Sequence, residues 1–221
     1  MLFPVAYACA AAGGLLLVWN LSLILRILPD EAKGPVYRIM VFHIPAWWTA
    51  FLCVGIAALA SIMYLVRKNL RWDSIAVAST EVGLAFLLVG ITLGSIWGRV
   101  AWGIWWTWDA RLTSAFLCVV LYAAYLALRN NIDDLTQRAR LSAVFSIFAF
   151  CDVPIVWYSI RWWRTQHPQP MELPADMMSV LLWNWLAIML LVTSLVLIRF
   201  EQEQAGRRIA AIRLAKHEVM Q

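Results

Sequence analysis

Charged residues are scarce in this sequence, and their scarcity excludes an ordinary soluble globular protein. Asp, Glu, Lys and Arg make up 14% of the 221 residues, whereas apolar residues make up 63%. A soluble domain has roughly a quarter charged and about half apolar residues. The composition therefore predicts a membrane protein with several spans. Its net charge of +5 is expected to set topology and does not indicate nucleic-acid binding.

Several motifs that would assign a function directly are also absent. There is no G-x-x-x-x-G-K-[ST] loop, so the chain is not expected to bind nucleotide, and any ATP dependence must come from a partner. No cluster of cysteine, histidine and acid has the spacing of a zinc site. The cysteines form no C-x-x-C pair and each lies in an apolar run, which predicts buried structural thiols. They are Cys9, Cys53, Cys118 and Cys151.

Long apolar runs dominate what is present. Six of them approach the about 20 residues that a helix needs to cross the hydrocarbon core. The first has no basic residue before it, so we interpret it as a span and not as a cleaved signal peptide. The sequence predicts an all-α integral membrane protein with six transmembrane helices. The predicted spans are Pro4–Leu28, Ile44–Val66, Ser74–Ile96, Leu112–Leu128, Leu141–Ile160 and Met177–Ile198.

Lysine and arginine predict the orientation of these spans. With six spans both termini share a side, and that side holds eleven of the 18 basic residues against seven on the other. Because positive charge favours the cytoplasm, we expect cytoplasmic termini and three short outer loops, at 29–42, 97–111 and 161–176. We divide the chain into a transmembrane domain at 1–199 and a charged cytoplasmic tail at 200–221.

The segment 97–113, W-G-R-V-A-W-G-I-W-W-T-W-D-A-R-L-T, holds five of the fourteen tryptophans. Its steps of three and four residues predict indoles and Asp109 on one helix face. Such indoles form a platform for a large flat ligand, although tryptophan belts also mark membrane interfaces. A belt occupies both interfaces, whereas twelve tryptophans are predicted near the outer surface, which favours a site. The predicted platform is Trp97, Trp102, Trp105, Trp106, Trp108 and Asp109.

Two of the three histidines are predicted on the same outer side. His43 lies at the mouth of the second span and His167 in the third outer loop, 124 positions later, whereas His217 belongs to the charged tail. Neutral imidazole is a good ligand for haem iron. We expect His43 and His167 to hold one haem from opposite sides, with the tryptophan segment under the porphyrin. A purely structural role for each histidine is the alternative.

The motifs resemble those of a known family. W-G-I-W-W-T-W-D-A-R-L-T is similar to the WWD signature of membrane proteins that handle haem, and most similar to that of the haem exporter protein C (CcmC) family. Y-R-I-M-V-F-H-I-P-A-W-W and W-W-R-T-Q-H resemble the two histidine motifs of that family. The resemblance implies that His43 and His167 are the axial ligands of haem b and that the WWD segment binds the ring.

The resemblance also implies a location and partners. It implies a multi-pass protein of the bacterial inner membrane whose haem site faces the periplasm. Such a protein delivers haem to the chaperone CcmE during cytochrome c maturation, together with the ABC-type subunits CcmA and CcmB and the small subunit CcmD. The expected surroundings are membrane lipid, without nucleic acid. The chain would then be part of a transport complex and not an enzyme.

Charged residues near the predicted site and within the spans also have predicted roles. Outer arginines suit the haem propionates, with lipid headgroups as the alternative. Asp109 is expected to orient an arginine or an indole donor. Glu81 and Asp152 are predicted inside spans with no basic residue at matching depth, and therefore protonated or hydrogen-bonded near a kink at Pro154. The candidate propionate partners are Arg99, Arg111, Arg161 and Arg164.

Two other functions fit part of the sequence. A cytochrome c synthase subunit of the CcsA or CcmF type shares the WWD segment, but such relatives are longer and carry histidines within the membrane, whereas the predicted spans here contain none. A transporter or channel unrelated to haem would use the tryptophans only as interfacial anchors.

Overall fold

A computed structural model describes residues 2–26, 35–167 and 175–219, and these ranges contain helices and no strand. A short 3-10 turn at Pro35–Ile39 leads into the second helix. The helices are α1 (Phe3–Arg26), α2 (Met40–Arg67), α3 (Leu70–Trp102), α4 (Ala110–Asn130), α5 (Leu135–Phe150), α6 (Asp152–Trp162) and α7 (Ala175–Val219).

Six segments of the described ranges are long and apolar enough to cross a membrane, which confirms the predicted all-helical, six-span fold. The fifth segment combines α5 and α6, which are separated at Cys151. Pro154 has no N–H to donate to the carbonyl of Phe150, the last residue of α5. The helix is interrupted at Cys151, three residues before Pro154, and a kink at Pro154 itself stays a prediction. The orientation of the termini stays a prediction.

The centre of the bundle is the close packing of α2 against α3. A small residue lies at their contact: a Cβ added at Gly83 would lie 3.0 Å from the Cβ of Cys53. Small residues let two membrane helices approach closely and gain packing contacts. Helices α5 and α7 pack on α2, α4 packs on α3, and α1 contacts α7 at Gly13. This packing aligns the first turns of α2 with the last turns of α3.

The prediction that all four cysteines are buried is right for two of them. Cys53 and Cys118 lie in the core, and Cys9 is half-buried. Cys151 is exposed on the outside of the bundle, so the prediction is wrong there. The reason is its place at the break between α5 and α6, where the side chain turns outward.

A buried ion cluster joins three helices at one end of the bundle. The Arg129 guanidinium on α4 donates to both carboxylate oxygens of Asp73 on α3, at 2.6 and 3.1 Å. Arg207 on α7 also donates to Asp73, and Glu203 lies 3.3 Å from Arg207. The Asp73 and Arg129 side chains are 2% and 6% exposed. Each charge thus has an opposite partner, as burial of charges requires.

The expectation that Glu81 has no basic partner is wrong. Arg199 on α7 donates through Nη2 to the Glu81 carboxylate at 2.9 Å, and also through Nε. The sequence placed Arg199 beyond the end of its span, but α7 continues as one helix to Val219. A long arginine side chain can reach back along its helix. The predicted domain boundary at 199/200 falls within this continuous helix and stays a prediction.

The other end of the bundle gathers the candidate site residues. Because successive spans alternate in direction, α2, α4 and α7 begin there, and α1, α3 and α6 end there. Trp19, expected inside the first span, packs edge-on against Trp183 with ring centroids 5.7 Å apart. Trp72 is near the start of α3, at the end with the ion cluster.

Candidate functional site

One pocket at this end of the bundle brings both outer histidines together. Most of its wall is apolar. The lining residues are Met40, His43, Trp47, Gly90, Ile91, Gly94, Ser95, Trp97, Trp102, Trp106, Arg111, Leu112, Ala115 and His167.

His43 is held in the first turn of α2, against the backbone of α3. A Cβ added at Gly94 would lie 2.9 Å from Cε1 of the imidazole, so only glycine leaves room for the ring in this position. Its Nδ1 is buried and has no hydrogen-bond partner among the described residues. The span boundary predicted at Ile44 was four residues late, since α2 begins at Met40. The expectation that no histidine lies within a span is therefore wrong, although His43 lies at the span's very end.

Glycines on α3 make the floor of the pocket, and the sequence reasoning did not identify them. Gly90 and Gly94 lie one helical turn apart. A Cβ at Gly90 would lie 2.9 Å from the indole of Trp47. The signal was visible in V-G-I-T-L-G-S-I-W-G, where glycine recurs every fourth residue, the spacing that puts residues on one helix face.

His167 reaches the pocket from an irregular segment that follows α6. Helix α6 ends at Trp162 with Trp163 as its C-cap, and residues 164–167 have no regular structure. The backbone N–H of His167 donates to the Thr165 hydroxyl at 3.1 Å, and that hydroxyl donates to the Asp109 carboxylate at 2.8 Å. The backbone N–H of Gln166 donates to the same carboxylate at 3.0 Å. The third outer loop is thus fastened to the tryptophan segment next to its histidine.

Asp109 also forms the N-cap of α4. Its Oδ1 accepts the backbone N–H of Leu112 at 2.9 Å. Partial burial by itself would raise the pKa of Asp109, but the hydrogen bonds from Leu112, Thr165 and Gln166 outweigh it and lower the pKa below its ordinary value. The carboxylate is therefore ionised at neutral pH. The sequence analysis expected Asp109 to orient an arginine side chain or an indole. Its described side-chain hydrogen bonds come instead from backbone N–H groups and threonine hydroxyl groups.

The helical face predicted for the tryptophan segment is wrong. Helix α3 ends at Trp102 because Gly103 takes a left-handed conformation with φ +79°, and its N–H closes the last turn on Arg99. The chain is irregular from Gly103 until Asp109 caps α4. Both signals, a glycine C-cap and an aspartate N-cap, were present in the sequence.

The structure divides the predicted platform into two groups. Trp97, Trp102 and Trp106 line the pocket, and the rings of Trp97 and Trp102 meet edge-on with centroids 5.2 Å apart. Trp105 and Trp108 are 59% and 71% exposed and do not line it. The ring of Trp108 nevertheless meets that of Trp106 edge-on, with centroids 5.7 Å apart.

The four arginines predicted to pair with the haem propionates also fall into two groups, inside and outside the pocket. Arg111 lines the pocket and donates to the carbonyl of Val156 on α6 at 2.6 Å. Arg99 donates to the carbonyl of Gly103, and Arg161 lies over the ring of Tyr158. Arg164 is exposed. The pocket thus contains one of the four candidate cations.

Comparison with known proteins identifies the family. The family model described as "Heme exporter protein C" matches residues 2–215. The chain belongs to the haem exporter protein C family. A protein of that name from Bradyrhizobium diazoefficiens is 32% identical over 197 residues, which cover 85% of this chain and 74% of the relative. Others come from Escherichia coli K12, 32% identical over 77% and 71% of the two chains, and from Paracoccus denitrificans, 29% identical over 94% and 86%.

The residues of the pocket fit haem, the cargo in the name of this family. Haem iron takes two axial ligands from opposite faces of a flat apolar ring, and the pocket combines two imidazoles with indoles and an apolar wall. Two buried nitrogens on its wall, His43 Nδ1 and Trp106 Nε1, have no partner among the described residues. Among those residues there is also no group of three or more His, Cys, Asp or Glu side chains that could hold a bare metal ion.

Substitution of Gly94 by alanine tests how the position of His43 against α3 affects haem binding. The added methyl group overlaps the imidazole and must displace it, and overpacking of this kind costs about 1–3 kcal/mol. We expect haem to dissociate about tenfold to hundredfold faster, measured by transfer to excess apomyoglobin. Gly14→Ala is the matched control, because a Cβ there meets nothing within 4 Å. Equal dissociation rates for both variants would contradict the expectation that haem binding depends on the position of His43 against Gly94.

Proposed function

We propose that this chain carries haem for cytochrome c maturation as a membrane-embedded component of a haem-transport complex. The single observation that supports this most is the convergence of His43 and His167, 124 positions apart, on one apolar pocket rich in tryptophan. Membership of the haem exporter protein C family agrees with it. The proposed cargo is haem b, whose iron offers two open axial positions.

In this proposal His43 and His167 supply the two axial nitrogens. Trp97, Trp102 and Trp106 pack against the ring, because indoles offer wide, rigid apolar surface. The exposed Trp105 and Trp108 extend that surface beyond the pocket, where a receiving protein would meet it. Their predicted contact with the ring stays a prediction.

Arg111 is the cation we assign to a haem propionate, since it is the one of the four candidates that lines the pocket. Its guanidinium is already oriented by the carbonyls of Val156 and Trp157. A pre-oriented guanidinium loses little side-chain freedom when it binds a carboxylate. For Arg99, Arg161 and Arg164 contact with lipid headgroups is the simpler role.

The proposed place of action is the periplasmic face of the bacterial inner membrane. The proposed receiver is the haem chaperone CcmE, with CcmA, CcmB and CcmD as partners in the complex. An open pocket suits such a carrier, because a site that enclosed haem completely would not release it. We propose no enzymatic role for this chain.

The test is expression of the chain with CcmE in cells with ample haem. We expect the purified chain to be coloured with a low-spin Soret spectrum, and CcmE to acquire haem only when the chain is present, measured by haem staining. A colourless protein would contradict the proposal and favour a function unrelated to haem. Attachment of haem to apocytochrome c by this chain alone would favour a synthase instead.

A further inference from the structure

The two carboxylate oxygens of Asp109 serve different parts of the molecule. Oδ1 accepts the N–H of Leu112 and fixes the start of α4. Oδ2 accepts the Thr165 hydroxyl and the Gln166 N–H, both from the segment that carries His167. The Thr107 hydroxyl lies farther from Oδ2, at 3.4 Å, and belongs to the same loop as Asp109. One side chain thus connects a helix end with the third outer loop.

We propose that Asp109 is a positioning residue for His167. Its Oδ2, through Thr165 and Gln166, holds residues 165–167 so that the imidazole stays at the pocket. This inference rests on the proposed function, since it assigns a purpose to the position of a proposed haem ligand. It also applies to the protein without haem, because the hydrogen bonds from Thr165 and Gln166 to Asp109 are present in the haem-free structure.

The local structure explains why such a connection is needed. His43 is carried by a long helix and seated against α3, whereas residues 164–167 have no helix to hold them. Trp163 and Arg164 are exposed. Hydrogen bonds to an ionised carboxylate are roughly twice as strong as those between neutral groups. The described hydrogen bonds of the segment converge on Asp109 and Thr165.

The arrangement also explains why an acid stands at this place in the tryptophan segment. Asp109 does not line the pocket. A serine or asparagine would cap α4 equally well. Only a carboxylate has a second ionised oxygen that accepts from the other loop at the same time.

The test uses two substitutions that break the connection and two that preserve it. Asp109→Asn keeps an oxygen for the Leu112 cap but presents an NH₂ group to the Gln166 N–H. Thr165→Val removes the hydroxyl between Asp109 and His167, and Thr165→Ser retains it. Thr107→Val is the matched control. It removes a hydroxyl group that also faces Oδ2 of Asp109, but Thr107 does not belong to the third outer loop.

The first measurement is hydrogen exchange of the 165–167 amides in the haem-free protein. We expect exchange about tenfold or more faster in Asp109→Asn and Thr165→Val, and rates close to those of the unmodified protein in Thr165→Ser and Thr107→Val. The amides at the start of α4 should stay protected in all four. Unchanged exchange in Asp109→Asn and Thr165→Val would overturn the proposal.

The second measurement is the haem spectrum of the same variants. We expect Asp109→Asn and Thr165→Val to lose low-spin character, and added imidazole to restore it, because His167 is displaced and not removed. Faster exchange with an unaltered low-spin spectrum would overturn the positioning role. If the unmodified protein has no low-spin haem, the proposed function fails. The exchange result then still decides whether Asp109 holds the loop.

Discussion

Substitution of His43 or His167 by alanine should convert the low-spin haem spectrum into a high-spin one and weaken haem binding by more than about 100-fold. The reason is that each variant removes an iron–nitrogen bond, whereas loss of an outer-shell partner alone costs about 10- to 100-fold in metal affinity. The neighbouring indoles and the apolar wall remain, so residual binding is expected in each single variant. The double variant should be colourless.

The measurements for this prediction are the absorption spectrum and a haem titration of each purified variant. Added imidazole should restore the low-spin form in both, since the alanine leaves space for a free ligand. His217→Ala is the matched control, because its histidine belongs to the predicted tail and is not a proposed ligand. Unchanged spectra in both His43→Ala and His167→Ala would exclude these residues as ligands.

Substitution of Asp73 by alanine should destabilise the protein by about 3–5 kcal/mol. Asp73 is buried and is shared by Arg129 and Arg207, so its removal leaves two guanidinium groups in the bundle without their common partner. Asp73→Asn retains one acceptor oxygen, so its free energy of unfolding should decrease less than that of Asp73→Ala. The measurement is the free energy of unfolding in detergent, followed by tryptophan fluorescence.

The control for Asp73 is Asp133→Ala, an exposed acid next to the same end of the bundle. We expect its unfolding free energy to stay within about 0.5 kcal/mol of the unmodified protein. The haem spectrum of Asp73→Ala should be unchanged while the protein is folded, because Asp73 and the pocket lie at opposite ends of α3. If the free energy of unfolding of Asp73→Ala decreased by less than about 1 kcal/mol, the ion cluster would not stabilise the bundle.

The fold was largely predictable because membrane spans depend on length and apolar composition. Six apolar runs predicted six spans, and the described residues contain all six. The boundaries failed where polar residues are tolerated inside a helix: α2 starts before His43, and α7 continues past Arg199. The Glu81–Arg199 pair was missed for this reason, since depth had been inferred from where the apolar run stopped.

The site was predictable in part. Topology alone placed His43 and His167 on one side, but only packing shows that they share a pocket. The helical periodicity of the tryptophan segment was misleading because Gly103 and Asp109 interrupt it, and these local signals outweigh a repeat of three and four residues. The bond from Thr165 to Asp109 joins residues 56 positions apart, which no local pattern reveals.

Helix α7 gives the protein a mechanical property that its other helices lack. At about 1.5 Å per residue its 45 residues extend about 68 Å, roughly twice the thickness of the hydrocarbon core. It is joined to α3 at Glu81 and again at Asp73. Because α3 also carries Gly90 and Gly94, the part of α7 that extends past the core is connected through these two ion pairs to the same helix that lies against His43.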